Sequence, residues 1–520
     1  MPLDATSIAP AVGATAENVT FQPTAENVPR KILIIGTYDP LKTGVVDEVP
    51  VQILSPADAG DKFGFGFPVH RMAIKAFAGS GGIECWVQPQ SEVAGSQAAG
   101  SITVTGPATE AGTIYLYVAG DLVTVTVANA DTDSVIATAI AAAINADDDL
   151  PITASAALGV VTTTAKDTST YGDGVNMSLN LGLNQALPAG VAIVFVQQTG
   201  GAGVPDINDA LDGLGTGDAA NEANFTDVVH TYGQDSSTIT KLSTYNGIGN
   251  DFVGLYTKTI GRPFRVLDGD TVVGSAGLTA VKAIGDGNKL DRTNGIICVP
   301  GSPNHPSEIA AAAMGVMAKT NQNRAAETYV GKVIPGIIPG MTDGTGDRWT
   351  DDYDNRNSAM LSGISPTAVK NNAVVMQFVY TFYHPAGVAQ SSNYWKSQRN
   401  ISIMQNELFN IRQNFENERW QGIIIVADVT KVTNAIDRQK ARDRKAVLGD
   451  LLELTESFEA HAWIYSASFT IDKLKSDPSL VTIRVGGDGF NVFLPLVVSG
   501  EGGIFDNVLQ VDASLAVFLS

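Results

Sequence analysis

The distribution of apolar and polar positions along the chain alternates between two periods. RKILIIGTY (30–38) is a continuous apolar run closed by Gly36, the pattern of a buried strand. VPVQILSPADAGDKFGFGFPVHRMAIKAFAGSGGIECWVQPQ (49–90) reads as a strand, a capped turn, a helix over 68–78 and a strand at 83–88. Strand, helix and strand in that order favour a crossover unit with parallel pairing. TIYLYVAGDLVTVTV (113–127) alternates around Gly120 as a hairpin, and Thr132 and Asp133 precede a helix in which Ile136, Ile140 and Ile144 share a face. LGVVTTTA (158–165) and NMSLNL (176–181) add strands. From VAIVFV (191–196) through DINDALDGL, FTDVVHTY and STITKLSTYNG to NGIICVPG (294–301), strands and helices alternate. NHPSEIAAAAMGVMAK (304–319) predicts a helix with Ser307 as N-cap and Glu308 in its first turn. AVVMQFVYTFYH (373–384) is strand-like, and 399–419 carries a helical stripe of Ile401, Met404, Leu408, Ile411 and Phe415. GIIIVADV (422–429) predicts a strand, 433–458 a charged helix, and 463–471, 480–485, 490–498 and 508–520 antiparallel-type strands.

Composition divides this pattern into regions. Residues 1–30 hold Pro2, Pro10, Pro23 and Pro29 with little apolar periodicity, so they are expected to form an extended arm. Residues 91–188 are rich in Thr, Ala, Val and Asp and nearly free of basic residues. They read as a small α+β domain inserted between the strand at 83–88 and the strand at 191–196, which would pair without it. Insertion into a surface loop costs little stability. The expected organisation is an arm (1–30), a middle α/β domain (31–90 with 189–360), the inserted domain (91–188) and a C-terminal domain (361–520) ending in a strand. The fold class is mixed α/β, or α+β, with several domains.

With 520 residues and a formal net charge of −21, the chain repels nucleic acid and anionic membrane surfaces. Two distant cysteines, Cys85 and Cys298, exclude a disulfide framework. The opening residues show no basic region followed by an apolar core, so no signal peptide is expected. No apolar run approaches the ~20 residues of a membrane helix, and the protein is expected to be soluble when made.

Motifs for chemistry are few. FGFGFP (63–68) offers Gly64 and Gly66 without the third glycine of a dinucleotide fingerprint, and reads as a tight turn. GLGTGD (213–218) lacks the Lys and Ser/Thr of a phosphate-binding loop. The carboxylates of the loop with Asp343, Asp347, Asp351, Asp352 and Asp354 could hold a hard cation, but the loop lacks the order of a calcium loop and reads as solvated. The five histidines, His70, His230, His305, His384 and His461, show no zinc spacing. No catalytic, cofactor-binding or metal-binding residue is assigned. The most unusual charge feature is NAIDRQKARDRKAVLG, where Arg438, Arg442 and Lys445 would fall on one helical face. That face is either solvated and neutralised by Asp437 and Asp443 or a docking patch for an acidic partner.

The order of these features resembles the tail sheath proteins of contractile-tailed phages, in particular the Mu-like branch. The resemblance is carried by VPRKILIIGTY (28–38), the PVQILSPADAGDKFGFGFPVHRMAIKAF segment, ECWVQPQ (84–90) followed by an inserted Thr-rich domain, IICVPGSPNHPSEIAAAAMGVMA, and NSAMLSGISPTAV leading to SQRNISIMQNELFNIRQNF. It is most specific over 28–90 and 290–470. AVVMQFVYTFYHP departs from the pattern, lacking the Arg-Thr pairing of more distant sheaths. The resemblance implies a sheath-type core and a structural role without catalysis or cofactor. Subunits would stack as hexameric rings around an inner tail tube and contract to drive the tube through the host envelope. Implied partners are neighbouring sheath subunits, the tail tube protein, the baseplate and the tail terminator, with no nucleic acid and no membrane insertion. The implied location is the virion tail, assembled in the host cytoplasm. Arg438, Arg442 and Lys445 become candidates to face the tube, and both termini candidates for strands exchanged with neighbouring subunits. Two other readings stay open on composition and pattern: an acidic β-rich surface or adhesin-type protein, and an α/β hydrolase.

Overall fold

The computed structural model describes residues 25–214, 224–248, 263–341, 348–387, 394–484, 487 and 489–501. These form two compact units: residues 27–409 with Gly500 and Glu501, and residues 410–499 with Ala25 and Glu26. The chain is mixed α/β, with twelve helices among the described residues.

In the larger unit, β1 (Lys31–Thr37) lies at the centre of a five-stranded sheet. It pairs in parallel with β3 (Glu84–Gln90) and with β11 (Asp227–His230). β2 (Val51–Ile53) pairs antiparallel to β3, and β12 (Arg265–Val266) closes the other edge. Because a strand's side chains alternate between faces, the continuous apolar run is used twice. Ile32 and Ile34 pack with α1 (Pro56–Phe63), α2 (Pro68–Ser80) and α7 (Pro306–Asn323). Leu33 and Ile35 pack with α4 (Ile207–Leu214) and with Leu242 of α5 (Ser236–Asn246). The parallel crossover expected between the strand at 49–54 and the strand at 83–88 is not formed, because β2 pairs antiparallel with β3; α2 instead lies between β1 and β3, which are parallel.

The extended stretch 265–270 carries the chain into a second sheet, since β13 (Asp268–Asp270) follows β12 directly. Its order is β13, β14 (Ile296–Cys298), β15 (Ile364–Lys370), β16 (Ala373–Met376); only the last pair is antiparallel. Ile296, Cys298 and Ile364 pack with α6 (Gly274–Gly287) and with Ala359 of α8 (Tyr353–Leu361). The strand expected over 373–384 ends at Met376. Its edge is covered by 331–334, whose backbone bonds Val374 and Met376.

Residues 96–202 build a lobe with its own core. One antiparallel sheet has the order β10 (Ala192–Thr199), β4 (Ala99–Thr105), β8 (Val160–Ala165), β7 (Ile152–Ala157); a second has β6 (Asp121–Val127), β5 (Gly112–Val118), β9 (Met177–Leu179). Ile136, Ile140 and Ile144 of α3 (Asp133–Asn145) fill the space between, and Thr132 caps α3 by accepting from Val135 N. The strand at 191–196 does not return to pair with 83–88. It is β10, and it pairs antiparallel with β4, because its inward residues Ile193 and Phe195 pack on the lobe's core. The lobe's two strands of connection meet at the Ser96–Ala202 bridge.

α9 (Gln398–Glu416) realises the helix expected at 399–419. Within the larger unit its polar residues Ser402, Gln405 and Asn406 are buried as fully as Ile401. The strand leading into β1 accounts for this: Asn406 accepts from Val28 N at 2.8 Å, and the Arg30 guanidinium bonds Gln405 and Ser402.

In the smaller unit, β17 (Ile424–Ile425) pairs in parallel with β18 (Ala441–Arg442), and β19 (Val481–Ile483) antiparallel with β20 (Phe490–Val492). Trp420, Val447, Leu451, Leu474 and Val481 form its core. Two expectations fail here. The charged helix of 433–458 is two helices, α10 (Ala435–Lys440) and α11 (Arg444–Ala460), separated by β18. Asp443 is the cause: its carboxylate accepts from Ala446 N as the N-cap of α11, starting a new helix. The segment 463–471, read as a strand, turns into α12 (Ala467–Ser476), which buries Ala467, Thr470 and Leu474 at helical spacing. The N-terminal arm up to residue 24 and the strand at 508–520 lie outside the described residues.

Candidate assembly surfaces and the clamp between helices and lobe

The basic segment of the smaller unit divides into three environments. Arg438 is exposed on α10 and Lys445 is exposed in the first turn of α11. Arg442, between them on β18, is turned inward. Its guanidinium donates to the carbonyls of Gln439 (2.9 Å), Ala441 (2.8 Å) and Arg419 (2.8 Å), and lies 5.8 Å from the centre of the Trp420 ring. The three cations therefore do not share one helical face. The break at β18 assigns Arg442 to the fold and leaves Arg438 and Lys445 to the surface.

Of the other motifs, GLGTGD beyond Leu214 lies outside the described residues. Gly64 and Gly66 adopt φ of +101° and +79°, conformations that β-carbons disfavour, and form the turn between α1 and α2. Asp352 is the N-cap of α8, accepting from Asn355 N, and Asp351 pairs with Arg348 at 2.8 Å. Asp343 and Asp347 lie outside the described residues. Among the described residues no group of three His, Cys, Asp or Glu is placed to hold a metal ion, and no helix is long and apolar enough to cross a membrane. Cys85 and Cys298 are buried free thiols, and burial raises the pKa of each.

The sequence reading missed the most highly charged buried site. Arg71 on α2 and Glu308 on α7 are both fully buried and bond in a fork, Nε to Oε1 at 2.8 Å and Nη2 to Oε2 at 3.1 Å. The lobe completes the site. Asp121 pairs with Arg71 at 2.5 Å and with Lys75 at 3.2 Å, the Asp149 carbonyl accepts from Arg71 at 3.0 Å, and Tyr171 donates its hydroxyl to Glu308 at 3.2 Å. His305, rather than Ser307, caps α7: its Nδ1 accepts from Ser307 N at 3.1 Å while Nε2 donates to the Tyr171 carbonyl at 2.9 Å. Burial opposes ionisation of Asp121, yet Arg71 and Lys75 outweigh it and hold the carboxyl below its ordinary range. Burial pushes the His305 imidazole down to about 3 against the pull of its bond to Tyr171. The arrangement is a clamp of paired charges. Arg71 and Lys75, four residues apart on a helix of small buried residues, were the available signal.

No protein-family model matches the chain. Over 343 residues it is 27% identical to the Mu-like prophage FluMu tail sheath protein of Haemophilus influenzae, an alignment covering 65% of each chain. Among solved structures it is similar to the sheath tail protein of Desulfitobacterium hafniense, at 12% identity over 92% of this chain and 94% of that one, with a TM-score of 0.43. It is also similar to the sheath complex of an extracellular contractile injection system in its contracted state, at 9% identity over 98% of this chain and 100% of that one, with a TM-score of 0.46. The resemblance to Mu-like tail sheath proteins, read above from scattered segments, is thus borne out by direct sequence identity.

Proposed function

We propose that this chain is the structural subunit of a contractile tail sheath. It stacks with copies of itself as hexameric rings around a tail tube and contracts to drive that tube through a host envelope. The observation that carries the reading is the 27% identity over 343 residues to a Mu-like tail sheath protein. The site chemistry supports it: the buried charges hold helices and lobe together, which suits a load-bearing part. The work of contraction then comes from the packing difference between two lattices and needs no nucleotide.

In this reading the subunit's partners are neighbouring sheath subunits, the tube, the baseplate and the tail terminator, and its place is the virion tail. The lobe stands at large radius. Arg438 and Lys445 face carboxylates of the tube, where each exposed pair contributes about 0–1 kcal/mol and sixfold repetition supplies the rest. Residues 1–25 and 508–520 add strands to sheet edges on neighbouring subunits, so that main-chain bonds survive a change of angle between bodies. Heterologous contacts of this kind do not close on themselves and produce a helical assembly. Negative-stain microscopy of the purified chain tests the reading: tubes are expected, and a protein that stays monomeric at high concentration in high salt would refute it.

A further inference from the structure

The lobe carries a surface that neither its core nor the clamp uses. α3 and the buried residues Ile102, Val104 and Val161 cover one face of the sheet β10–β4–β8–β7. On the opposite face the registers align Val194 with Thr103 and Val160, and Val196 with Ser101, Thr162 and Ser155. Val194 is 65% exposed and Val196 58%, and Thr103, Thr162 and Ser155 are exposed as well. None of the four strands contains a charged residue. The contrast with the surroundings is large, because residues 91–188 include ten acidic residues and a single base, Lys166.

An uncharged, flat face of Val, Thr and Ser can pack against another protein surface with its side chains interdigitating. Four strands spaced about 4.8 Å apart and about five residues long present roughly 300 Å². A free-standing complex needs about 800 Å² from each partner, so this face is too small to hold a dimer alone. It suits a contact made many times in an array. Charge points to the occupant. Two copies of a chain at −21 repel wherever carboxylates oppose one another, and a face without carboxylates is where they can touch.

We propose that this sheet face is a contact between neighbouring copies of the chain in the assembled array, the partner surface being a different part of the second copy. The proposal rests on the sheath reading and adds to it a role for the lobe in subunit packing. The test is the critical concentration for tube formation of the full chain, wild type against T103E/T162E, with T103S/T162S as control. Both positions are exposed, so circular dichroism and melting of the monomer should match the wild type. The Glu variant is expected to need at least tenfold more protein to assemble, and the Ser variant no more than wild type. If T103E/T162E folds poorly, S155E alone is expected to show the same direction of effect on an intact monomer. Equal assembly of wild type and Glu variants would overturn the contact and leave the sheath reading standing. A stable wild-type dimer at low concentration, abolished by T103E/T162E, would also overturn it, because the face would then close a pair. A wild type that never assembles would overturn both.

Discussion

Arg71 and Glu308 have been withdrawn from water together, and each depends on the other to offset that loss. Arg71→Met leaves Glu308 buried beside Tyr171 with only Lys75 at 3.7 Å, and is expected to cost about 3–5 kcal/mol in urea denaturation. Adding Glu308→Leu should recover much of that loss, since an apolar pair removes the stranded charge. The cations of the smaller unit should separate by environment. Arg438→Glu is expected to fall within about 0.5 kcal/mol of wild type, whereas Arg442→Glu, which loses three carbonyl bonds, should cost about 1–3 kcal/mol. The buried histidines set the acid side of the stability curve. Burial lowers His70 and His230 from 6.5 to about 4 and His305 to about 3, so the fold keeps them neutral. Below about 6.5 the unfolded chain binds protons that the fold refuses, and stability falls as pH falls toward 4. Glu407 acts in the opposite direction. Burial raises it from 4.5 to about 8, so unfolding releases its proton across that range, and its contribution is lost as pH rises. Melting temperatures across pH 4–8 should show His305→Asn flattening the acid limb and Glu407→Gln raising the alkaline one.

Two helices of the larger unit cross at a distance that only glycine permits. A β-carbon on Gly79 of α2 would lie 2.3 Å from the Ala312 carbonyl oxygen, and one on Gly315 of α7 would lie 2.6 Å from that of Ala76. Both obstacles are backbone, so Gly79→Val should force the helices apart and cost about 1–3 kcal/mol or more, read as a lowered urea midpoint. Where packing and local pattern agree, the sequence was a sufficient guide: β1, α2, β3, the β5–β6 hairpin, α3 and α9 lie where their periods place them. The failures have local causes. WIYSASFTI alternates well enough to pass for a strand, but Ala467, Thr470 and Leu474 have a second, helical spacing that the core of the smaller unit selects. The charge pattern of 433–458 hid Asp443, whose value as a helix start depends on a bend that side-chain counting does not show. VAIVFV was read as part of the flanking domain because its pairing partner, β4, lies almost a hundred residues earlier. Of the candidate site, the basic residues were legible as a cluster and their division was not. Of the clamp only Arg71 and Lys75 left a trace in the sequence, four apart on α2, since its other members come from α7 and the lobe.

Within the larger unit the lobe is fastened to the core through the clamp, and removing it should be possible at its neck but not elsewhere. Cutting at 92–188 would strand β10 without β4 and leave Ile193 and Phe195 without their core. Replacing 96–202 by a short Gly/Ser linker keeps Arg71 and Glu308 paired with each other, and is expected to give a folded protein with a lower melting temperature, since Asp121, the Asp149 carbonyl and Tyr171 are lost from the clamp. An insoluble product would show that the lobe is part of the core's stability. The central claim, a sheath held together through its termini, is tested most directly by imaging three purified proteins under identical conditions: the full chain, a chain lacking 1–25 and a chain lacking 508–520. The account predicts tubes from the full chain alone, with both truncated proteins folded and monomeric by circular dichroism and sedimentation. Tubes of normal appearance from both truncations would contradict it.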